Sequence, residues 1–328
     1  MRAAFYERTG PAIEVLQLGD MPDPAPGHGE VRVRILWSGV NPSDVKSRAG
    51  LRSKDLAFPR IVPHSDGMGV IDAVGAGVDA GRIGERVWLW NAAWGRAFGT
   101  AAQYVALPAE QAVPMLEGIA DEAGACFGIP ALTAMHAVLM AGGVEGKTVL
   151  VAGGGGAVGH YAVQFAAQLG AARVIATTGS EAKAALAREA GASLVLNYTS
   201  DDVAKRVLDA TQGKGVDRII ELDIAANAPI DSACTRTGGE WIVYGSGAGR
   251  FTLDFFPLIA KNIEMRFFIV YNLEREQRAR AINTLNRLLA KGAVRHNVAQ
   301  RLPLEEIARA HDMVGGGTAG GNVVLRVT

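Results

Sequence analysis

The sequence predicts a two-domain α/β protein, in which a β-rich domain precedes a doubly wound parallel sheet. Short strand-like segments separated by turn residues fill the first third of the chain. From Lys147 onward, apolar strands alternate with amphipathic helices, as in a parallel sheet that is covered on both faces. A glycine-rich turn joins the first of these strands to the first helix, within residues 149–170. These three observations predict the fold class.

Length and composition are those of an ordinary globular protein. The chain has 328 residues, 49% of them hydrophobic, and its 33 basic side chains balance 33 acidic ones. This neutrality offers no electrostatic footprint for nucleic acid or an anionic membrane, so we expect neither as a partner. Glycine is the outlier, since 41 of the 328 residues are glycine, against a usual ~7%. That excess calls for a backbone explanation.

The cysteine content and the N-terminal segment point to the cytoplasm. Cys126 and Cys234 are the only cysteines, which excludes a disulfide framework and a cysteine-rich zinc lobe. The N-terminal segment lacks the apolar stretch of a secretory signal, and no apolar run approaches the ~20 residues of a membrane span. We therefore expect a cytoplasmic protein in a reducing compartment.

The β-rich domain is predicted to cover residues 1–122. Its turns are rich in Pro, Gly and Asp, and strand-like segments lie between them. The predicted strands are 30–40, 69–75, 85–90 and 101–107.

The parallel-sheet domain is predicted to cover residues 123–271. In its first helix, apolar residues from Val158 to Leu169 recur on one face. Residues 272–328 are predicted to return to the β-rich domain, with a charged helix at 274–291 and a last strand at 322–327. The strands predicted for the parallel sheet are 148–152, 173–178, 193–198, 218–222, 240–245 and 266–271, and the helices are 157–169, 180–190 and 201–211.

The glycine turn has the spacing of a dinucleotide-binding motif. Gly154, Gly156 and Gly159 satisfy G-x-G-x-x-G between a strand and a helix. Without Cβ atoms the backbone can approach a pyrophosphate, and the N–H groups at the helix N-terminus receive its charge. We therefore predict that residues 154–159 (Gly154, Gly155, Gly156, Ala157, Val158, Gly159) bind the cofactor. The alternative is a turn that merely packs the helix on the strand.

The next strand favours NADPH over NADH. NAD-specific sites place an acid about 20 residues after the glycines to hold the ribose 2′-OH, but this strand ends in Thr177-Thr178-Gly179-Ser180. Ser180, Lys183 and Tyr198 offer a hydroxyl, an ammonium and a phenol for a 2′-phosphate. The alternative interpretation makes Lys183 a solvated helix residue and Tyr198 an edge aromatic.

Seven segments resemble the medium-chain dehydrogenase/reductase superfamily, and within it the zinc-free NADPH:quinone oxidoreductase group, which is zeta-crystallin-like. The resemblance implies a GroES-like catalytic domain built from both chain ends, a Rossmann domain between them, and a cleft that holds the nicotinamide. It also implies a homodimer or homotetramer. The segments are GVNPSDVKSRAG (39–50), VPHSDGMGVIDAVGAGV (62–78), GERVW (84–88), FGIPALTAMHAV (127–138), VLVAGGGGAVG (149–159), AREAGASLVLNY (187–198) and GGNVVLRV (320–327).

The chain departs from the zinc alcohol dehydrogenase branch at every ligand position. Where that branch has its first Cys, this chain has Ser-Gly-Val-Asn at 38–41. Ser65-Asp66 replaces the His-Glu of the Gly-His-Glu motif, and the third ligand Cys falls near Ile129. Cys126 has no partners at metal spacing and is expected in the core, and His64 is displaced by one position. We therefore expect no catalytic metal, since a zinc site needs three protein ligands.

Without a Lewis acid, the favoured hydride acceptors are those that delocalise their own negative charge. Quinones become hydroquinone anions, and α,β-unsaturated carbonyls become enolates. We therefore predict an NADPH-dependent, metal-free oxidoreductase that transfers hydride to a quinone. The alternatives are an enoyl or 2-alkenal reductase, or a non-catalytic NADPH-binding or RNA-binding protein.

The resemblance also implies roles for residues near the nicotinamide. Asn41 matches the group's Asn beside it and is expected to donate to a substrate oxygen and accept from the cofactor; alternatively it is a turn cap. Thr133 matches a Thr near the cofactor, or else bonds its own helix backbone. The remaining implied contacts, each of which is alternatively simple strand packing, are Tyr244, Gly245, Ser246, Phe268, Val270 and Asn322.

Aromatic residues and proton donors complete the expected site. Trp88 and Trp90 face one side of a strand and are predicted to pack in the core, whereas Trp94 is the candidate for a flat-ring pocket. No side chain is clearly the proton donor. Tyr104, Asp44 and His64 are candidates, and solvent is sufficient for a weakly basic hydroquinone or enolate. The glycine-rich loop at 315–321 has no functional explanation from the sequence.

Overall fold

A computed structural model describes all 328 residues and divides the chain into two compact units. The first unit contains Met1–Pro130 and His296–Thr328, and the second contains Ala131–Arg295. The predicted α/β fold class is confirmed, with a mainly antiparallel seven-stranded sheet in the first unit and a parallel six-stranded sheet in the second. No helix in either unit has both the length and the apolar character needed to cross a membrane.

The chain forms 15 β-strands and 11 α-helices. The strands are β1 (Arg2–Phe5), β2 (Gln17–Asp20), β3 (Glu30–Val40), β4 (Asp66–Val74), β5 (Arg86–Leu89), β6 (Tyr104–Pro108), β7 (Ala112–Pro114), β8 (Thr148–Val151), β9 (Arg173–Thr178), β10 (Leu194–Asn197), β11 (Val216–Glu221), β12 (Thr235–Val243), β13 (Glu264–Phe267), β14 (Val298–Pro303) and β15 (Asn322–Arg326). The helices are α1 (Ala12–Val15), α2 (Pro42–Arg48), α3 (Asp121–Gly124), α4 (Leu132–Leu139), α5 (Ala157–Gln168), α6 (Glu181–Glu189), α7 (Val203–Ala210), α8 (Ile224–Cys234), α9 (Phe255–Ala260), α10 (Arg275–Ala290) and α11 (Ile307–Gly315).

The first unit is organised around the long strand β3. Alternate residues Val31, Val33 and Ile35 are buried on one face of β3, as the period of two for a strand requires. The sheet has the order β14-β15-β3-β4-β5-β7, and β6 also pairs with β3. β15 runs antiparallel to β3 with Val323 opposite Val40, so the last strand of the chain lies beside the end of β3.

Several short elements of this unit have no counterpart among the predicted ones. β1 and β2 form a separate antiparallel pair, with Arg2 opposite Asp20. Helix α2 follows β3 directly, with Asn41 as its N-cap and Pro42 in its first turn. Each is four to seven residues long, which is too short for apolar periodicity to be visible.

The second unit is a six-stranded sheet in which every neighbouring pair is parallel. Its order is β10-β9-β8-β11-β12-β13. The direction in which strands are added reverses between β8 and β11. In such sheets ligands bind outside the carboxyl ends of the strands at this reversal. The carboxyl ends of β8 and β11 therefore mark the place for a candidate cofactor site.

The unit boundaries differ from the predicted domain boundaries at both ends. Residues 123–130 belong to the first unit, and residues 272–295 belong to the second rather than returning to the β-rich domain. β13 ends at Phe267 instead of continuing to residue 271, and Val270–Asn272 form a short 3-10 turn. The buried Arg278 of α10 donates to the carbonyls of Val270 and Tyr271 at 2.8 and 3.2 Å, which ties this helix to the second unit.

A second buried arginine positions helix α4, which carries Thr133. Arg218 of β11 is fully buried and donates to the carbonyls of Val138 and Met140 at 3.0 and 2.8 Å. It also pairs with Glu240 of β12 at 2.7 Å. These bonds satisfy carbonyls at the C-terminal end of α4 that have no partner within the helix.

Candidate functional site

The glycine turn after β8 is built on close backbone approaches. Gly153 has a φ of +67°, a left-handed conformation that favours glycine. A Cβ at Gly159 would overlap the carbonyl of Gly153, so only glycine lets α5 pack against the turn. The N–H of Gly154 donates to the carbonyl of Thr177 at 2.9 Å, which fixes the turn to the end of β9. The turn therefore leads directly into the N-terminus of α5, as an anion-binding cradle requires.

The residues predicted around a 2′-phosphate surround the end of β9. A Cβ at Gly155 would lie 2.7 Å from the Cβ of Lys183, so the glycine turn contacts α6 at that residue. Ser180 caps α6 by accepting from the N–H of Lys183 at 3.4 Å. The exposed Tyr198 lies over Gly179, where a Cβ would overlap its hydroxyl.

Glu181 is the first carboxylate after β9 along the chain. It pairs with Arg188 at 2.6 Å and is 80% exposed. Arg188 lowers the pKa of Glu181, and its charge offsets that of the carboxylate. Because Glu181 is already paired with Arg188, it does not present a free carboxylate to the 2′-OH of a ribose, as an NAD-specific site does.

The turns after β11 and β12 are held together by backbone contacts. The N–H of Tyr244 donates to the carbonyl of Glu221 at 3.0 Å, and Gly245 lies so close to the carbonyl of Leu222 that a Cβ would overlap it. The hydroxyl of Ser246 donates to the carbonyl of Ala248 at 2.7 Å.

Phe268 connects these turns to α4. Its N–H donates to the carbonyl of Val243 at 3.1 Å, and its ring lies 6.3 Å from that of Tyr244. The ring of His136 meets Phe268 edge-on at 4.8 Å. Thr133 is three residues before His136 and thus on the same face of α4. The structure therefore brings Thr133, Tyr244 and Phe268 to one neighbourhood of the second unit, and Val270 lies buried two residues further on.

A buried carboxyl pair that sequence analysis missed lies behind these turns. Glu221 and Asp231 are both nearly inaccessible, and the charge of Glu221 acts on the carboxyl group of Asp231. Asn227 donates to Glu221 at 2.9 Å. Burial raises the pKa of both carboxyl groups, and burial together with the nearby Glu221 raises that of Tyr244. Ten residues separate the two acids in the chain, and no periodicity links them.

In the first unit, Asn41 lies between two buried acids. Its backbone N–H donates to Asp44 at 2.8 Å, and its side-chain Nδ2 donates to Asp66 at 2.8 Å. Burial raises the pKa of Asp44 to about 7, while the charge of Arg52 opposes the rise. Burial also raises the pKa of Asp66 well above its ordinary value. Asn41 is thus the N-cap of α2, which agrees with the alternative interpretation as a turn cap. Its side-chain amide also donates to the buried Asp66.

Asn322 and the 315–321 loop lie at the same end of the sheet as Asn41. The register that pairs Val323 with Val40 sets Asn322 beside Asn41. Asn322 Nδ2 donates to the carbonyl of Asn297 at 3.0 Å, and Asn297 Nδ2 donates to the carbonyl of Gly320 at 3.0 Å. The glycine loop therefore packs on the residue that holds Asn322.

Two family models match the chain. The model of the alcohol dehydrogenase GroES-like domain family matches residues 27–117, and the model of the zinc-binding dehydrogenase family matches residues 157–287. Quinone oxidoreductase from Rattus norvegicus is 31% identical over 314 residues, which cover 95% of this chain and 93% of the rat protein. The chain belongs to the quinone oxidoreductase group of the medium-chain dehydrogenase/reductase superfamily. The 2-haloacrylate reductase of a Burkholderia species is 30% identical, and the match covers 99% of this chain and 98% of the reductase.

Solved structures of this superfamily superpose on the whole chain. A solved structure of an NAD-dependent alcohol dehydrogenase has a TM-score of 0.91 with 32% identity. Escherichia coli quinone oxidoreductase complexed with NADPH has a TM-score of 0.89 with 26% identity. Both comparisons cover 100% of each chain.

The region that the sequence comparison with the zinc branch singled out contains no arranged metal ligands. No group of three or more His, Cys, Asp or Glu side chains is arranged to hold a metal ion. Cys126 is buried, and its thiol lies 3.7 Å from the carbonyl of Glu122, as a core residue.

His64, a candidate proton donor, is committed on both ring nitrogens. Nδ1 lies 2.8 Å from the hydroxyl of Ser38, and Nε2 lies 2.9 Å from Nε2 of His311. Burial lowers the pKa of His64 to about 3, so the ring is neutral. Sequence analysis missed His311 because 247 positions separate the two histidines.

Tyr104 and the tryptophans are also placed by the fold. Tyr104 pairs with Arg34 of β3, seven residues before Asn41, or about 23 Å along an ideal strand. Tyr104 therefore does not lie next to Asn41 along the strand. Trp88 and Trp90 are buried, as predicted, whereas Trp94 is 41% exposed and lies 5.9 Å from the guanidinium of Arg52.

We expect the carboxyl pair to make stability fall with rising pH. Raised folded-state pKa values stabilise the fold below the unfolded pKa, and this contribution is lost as pH rises through the folded pKa. Asp231→Asn keeps a donor to Glu221 but removes one ionisation. Its free energy of unfolding should decline less than that of the wild type between about pH 5 and about pH 9, measured by urea denaturation.

The matched control is Asp209→Asn, which changes an exposed acid paired with Lys205. It should keep the wild-type pH slope. Parallel curves for the wild type and Asp231→Asn would show that the pair does not titrate in this range.

Proposed function

We propose that this protein is an NADPH-dependent, zinc-independent oxidoreductase that transfers hydride to a quinone. The observation that carries the proposal is the pairing of a retained glycine cradle with the loss of the zinc ligands. Residues 38–41, Ser65 and the neighbourhood of Ile129 match the ligand positions of the zinc branch, and Asn41 is bonded to buried acids. The full-length likeness to rat quinone oxidoreductase supports the same conclusion.

We assign the cofactor contacts in the second unit by its geometry. When bound, NADPH supplies the hydride for the reaction. The turn from Gly154 to Gly159, with Gly155, Gly156, Ala157 and Val158, would hold the pyrophosphate. Ser180, Lys183 and Tyr198 would hold the 2′-phosphate. The residues assigned to the nicotinamide ribose and carboxamide are Thr133, Tyr244, Gly245, Ser246, Phe268 and Val270.

The first unit supplies groups for the acceptor. The Asn41 amide donates to the oxygen that gains negative charge, which stabilises that charge without a metal. Asn322 is assigned to the cofactor, and Trp94 provides a flat apolar surface beside Arg52. Hydride transfer to a quinone gives a hydroquinone anion, whose charge spreads over the ring. One proton then completes the hydroquinone, and solvent can provide it.

An α,β-unsaturated carbonyl is the second candidate acceptor. It is supported by the Burkholderia 2-haloacrylate reductase, at 30% identity over nearly the whole of both chains. An enolate delocalises charge as a hydroquinone anion does, so the same donor at Asn41 serves both reactions.

We infer the cellular compartment from the two thiols and the class of partner from the net charge. Cys126 and Cys234 are both free and buried, which fits a reducing compartment such as the cytoplasm. The zero net charge supports a small-molecule substrate rather than a nucleic acid or membrane partner.

A homodimer is the proposed assembly, formed through the open edge of the parallel sheet. β13 is an edge strand of that sheet, so its outer backbone groups can pair with another strand. Exposed apolar side chains cluster in sequence around it: Phe255, Phe256, Ile259 and Phe267 are 55 to 80% exposed. A second copy that presents the same edge would extend the sheet and cover these residues. A homotetramer would need a further contact.

The acceptor is tested by following NADPH oxidation with a small quinone and with a 2-alkenal, each with and without a chelator. We expect the higher kcat/KM with the quinone and no effect of the chelator. A rate that the chelator abolishes contradicts zinc independence. If neither acceptor turns over, a non-catalytic binding role is favoured.

Lys183→Ala tests the 2′-phosphate assignment. Losing a charge-assisted contact should weaken NADPH binding by about 10- to 100-fold, while NADH binding changes little. Both dissociation constants are measured by fluorescence titration. Lys205→Ala, an exposed lysine of the same unit, is the matched control. Equal losses for NADPH and NADH would refute the assignment.

Phe256→Asp tests the assembly. A charge at an interface that buries Phe256 should convert the dimer to a monomer, as measured by light scattering after size-exclusion chromatography. Ile83→Asp, at an exposed apolar residue of the first unit, should leave the mass unchanged. A wild-type monomer, or a Phe256→Asp dimer, would contradict the proposed interface.

A further inference from the structure

Asp66 lies in a narrow slot that glycines create. It begins β4 and is fully buried. A Cβ at Gly39 would lie 2.8 Å from the Cβ of Asp66, and a Cβ at Gly128 would lie 2.5 Å from Asp66 Oδ1. The side chain therefore fits only because both neighbours lack side chains. A carboxyl group that is kept in so tight and fully buried a site needs a reason, because burying it costs free energy.

The local backbone settles which way the Asn41 amide faces. Asn41 and Asp44 form a capping box at the start of α2, in which the Asn41 side chain accepts from the N–H of Asp44. A backbone N–H can only donate, so the amide oxygen must face Asp44. The amide nitrogen then faces Asp66, in agreement with the 2.8 Å contact from Nδ2 to Asp66 Oδ2.

This arrangement divides the two amide hydrogens of Asn41. One is donated to Asp66, and the amide oxygen is used within α2, so the second hydrogen is the group left for a ligand. That Asn41 also accepts from the cofactor stays a prediction, since an amide oxygen has two lone pairs.

We propose that Asp66 is a positioning residue, which holds the Asn41 amide so that its second N–H donates to the oxygen of the acceptor during hydride transfer. This inference rests on the proposed function and names the group that orients its donor. Asp66 acts through Asn41 and does not itself touch the acceptor.

The protonation state of Asp66 fits this role. Burial favours the neutral acid, whose carbonyl oxygen still accepts from Asn41. A neutral group adds no negative charge near an oxygen that becomes negative in the reaction. Asp44 on α2 and Cys126 are the titratable groups whose charges act with Asp66, and burial raises the pKa of both.

Asp66→Leu and Asp66→Asn test the proposal together. Leucine fills the slot but cannot accept a hydrogen bond, so kcat with the quinone should fall by about 10- to 100-fold. The KM and the dissociation constant for NADPH should stay near the wild-type values. Asparagine keeps an acceptor oxygen and should recover most of the rate. If the leucine variant fails to fold, Asp66→Ala, which adds no bulk, repeats the comparison.

A double-mutant cycle with Asn41→Ala separates positioning from general damage. If Asp66 acts only through Asn41, Asn41→Ala with Asp66→Leu should be no slower than Asn41→Ala alone. Additive losses would overturn the proposal, as would a leucine variant with the wild-type kcat. Asp72→Leu removes a carboxylate of the same strand, paired with Arg32 at 2.9 Å, and is the matched control. A wild-type protein without turnover would instead refute the proposed function.

Discussion

The close approach of helix α5 to the turn before it is the constraint on which the second unit depends. Gly159 lies against the carbonyl of Gly153, and Gly155 lies against α6, so neither position accepts a side chain. This packing sets the N-terminus of α5 at the reversal of the sheet, where Leu222 and the turn after β11 also contact the glycines. The same geometry that packs the helix therefore creates the cradle for a pyrophosphate.

The first unit uses missing side chains in another way. At Gly39 and Gly128 the absent Cβ atoms admit the carboxyl group of Asp66, and Asp66 in turn holds the amide of Asn41. Nearby, Ser38 lies within hydrogen-bond distance of both His64 and Thr100.

Buried polar groups also position the elements around the candidate cofactor residues of the second unit. Arg218 and Arg278 hold the helices that carry or border the candidate cofactor residues, and Glu221 with Asp231 supports the turn behind Tyr244. Backbone carbonyls accept from Arg218 and Arg278, and the amide of Asn227 donates to Glu221. Such networks are costly when incomplete, so they define one arrangement of the turns around the site.

The sequence by itself determined the α/β class, the strands β8 to β12, the glycine turn and the residues around the end of β9, because apolar periodicity and glycine spacing are local properties. It did not reveal α2, the β1–β2 pair or the end of β13, since short elements depend on contacts made elsewhere in the chain. Only the tertiary structure decided that α10 belongs to the second unit, through Arg278, and that Tyr104 lies far from Asn41. It also decided the partners of Asn41, His64 and Glu221, because each pair joins residues from different elements, and hydrogen bonds across such separations leave no periodic trace.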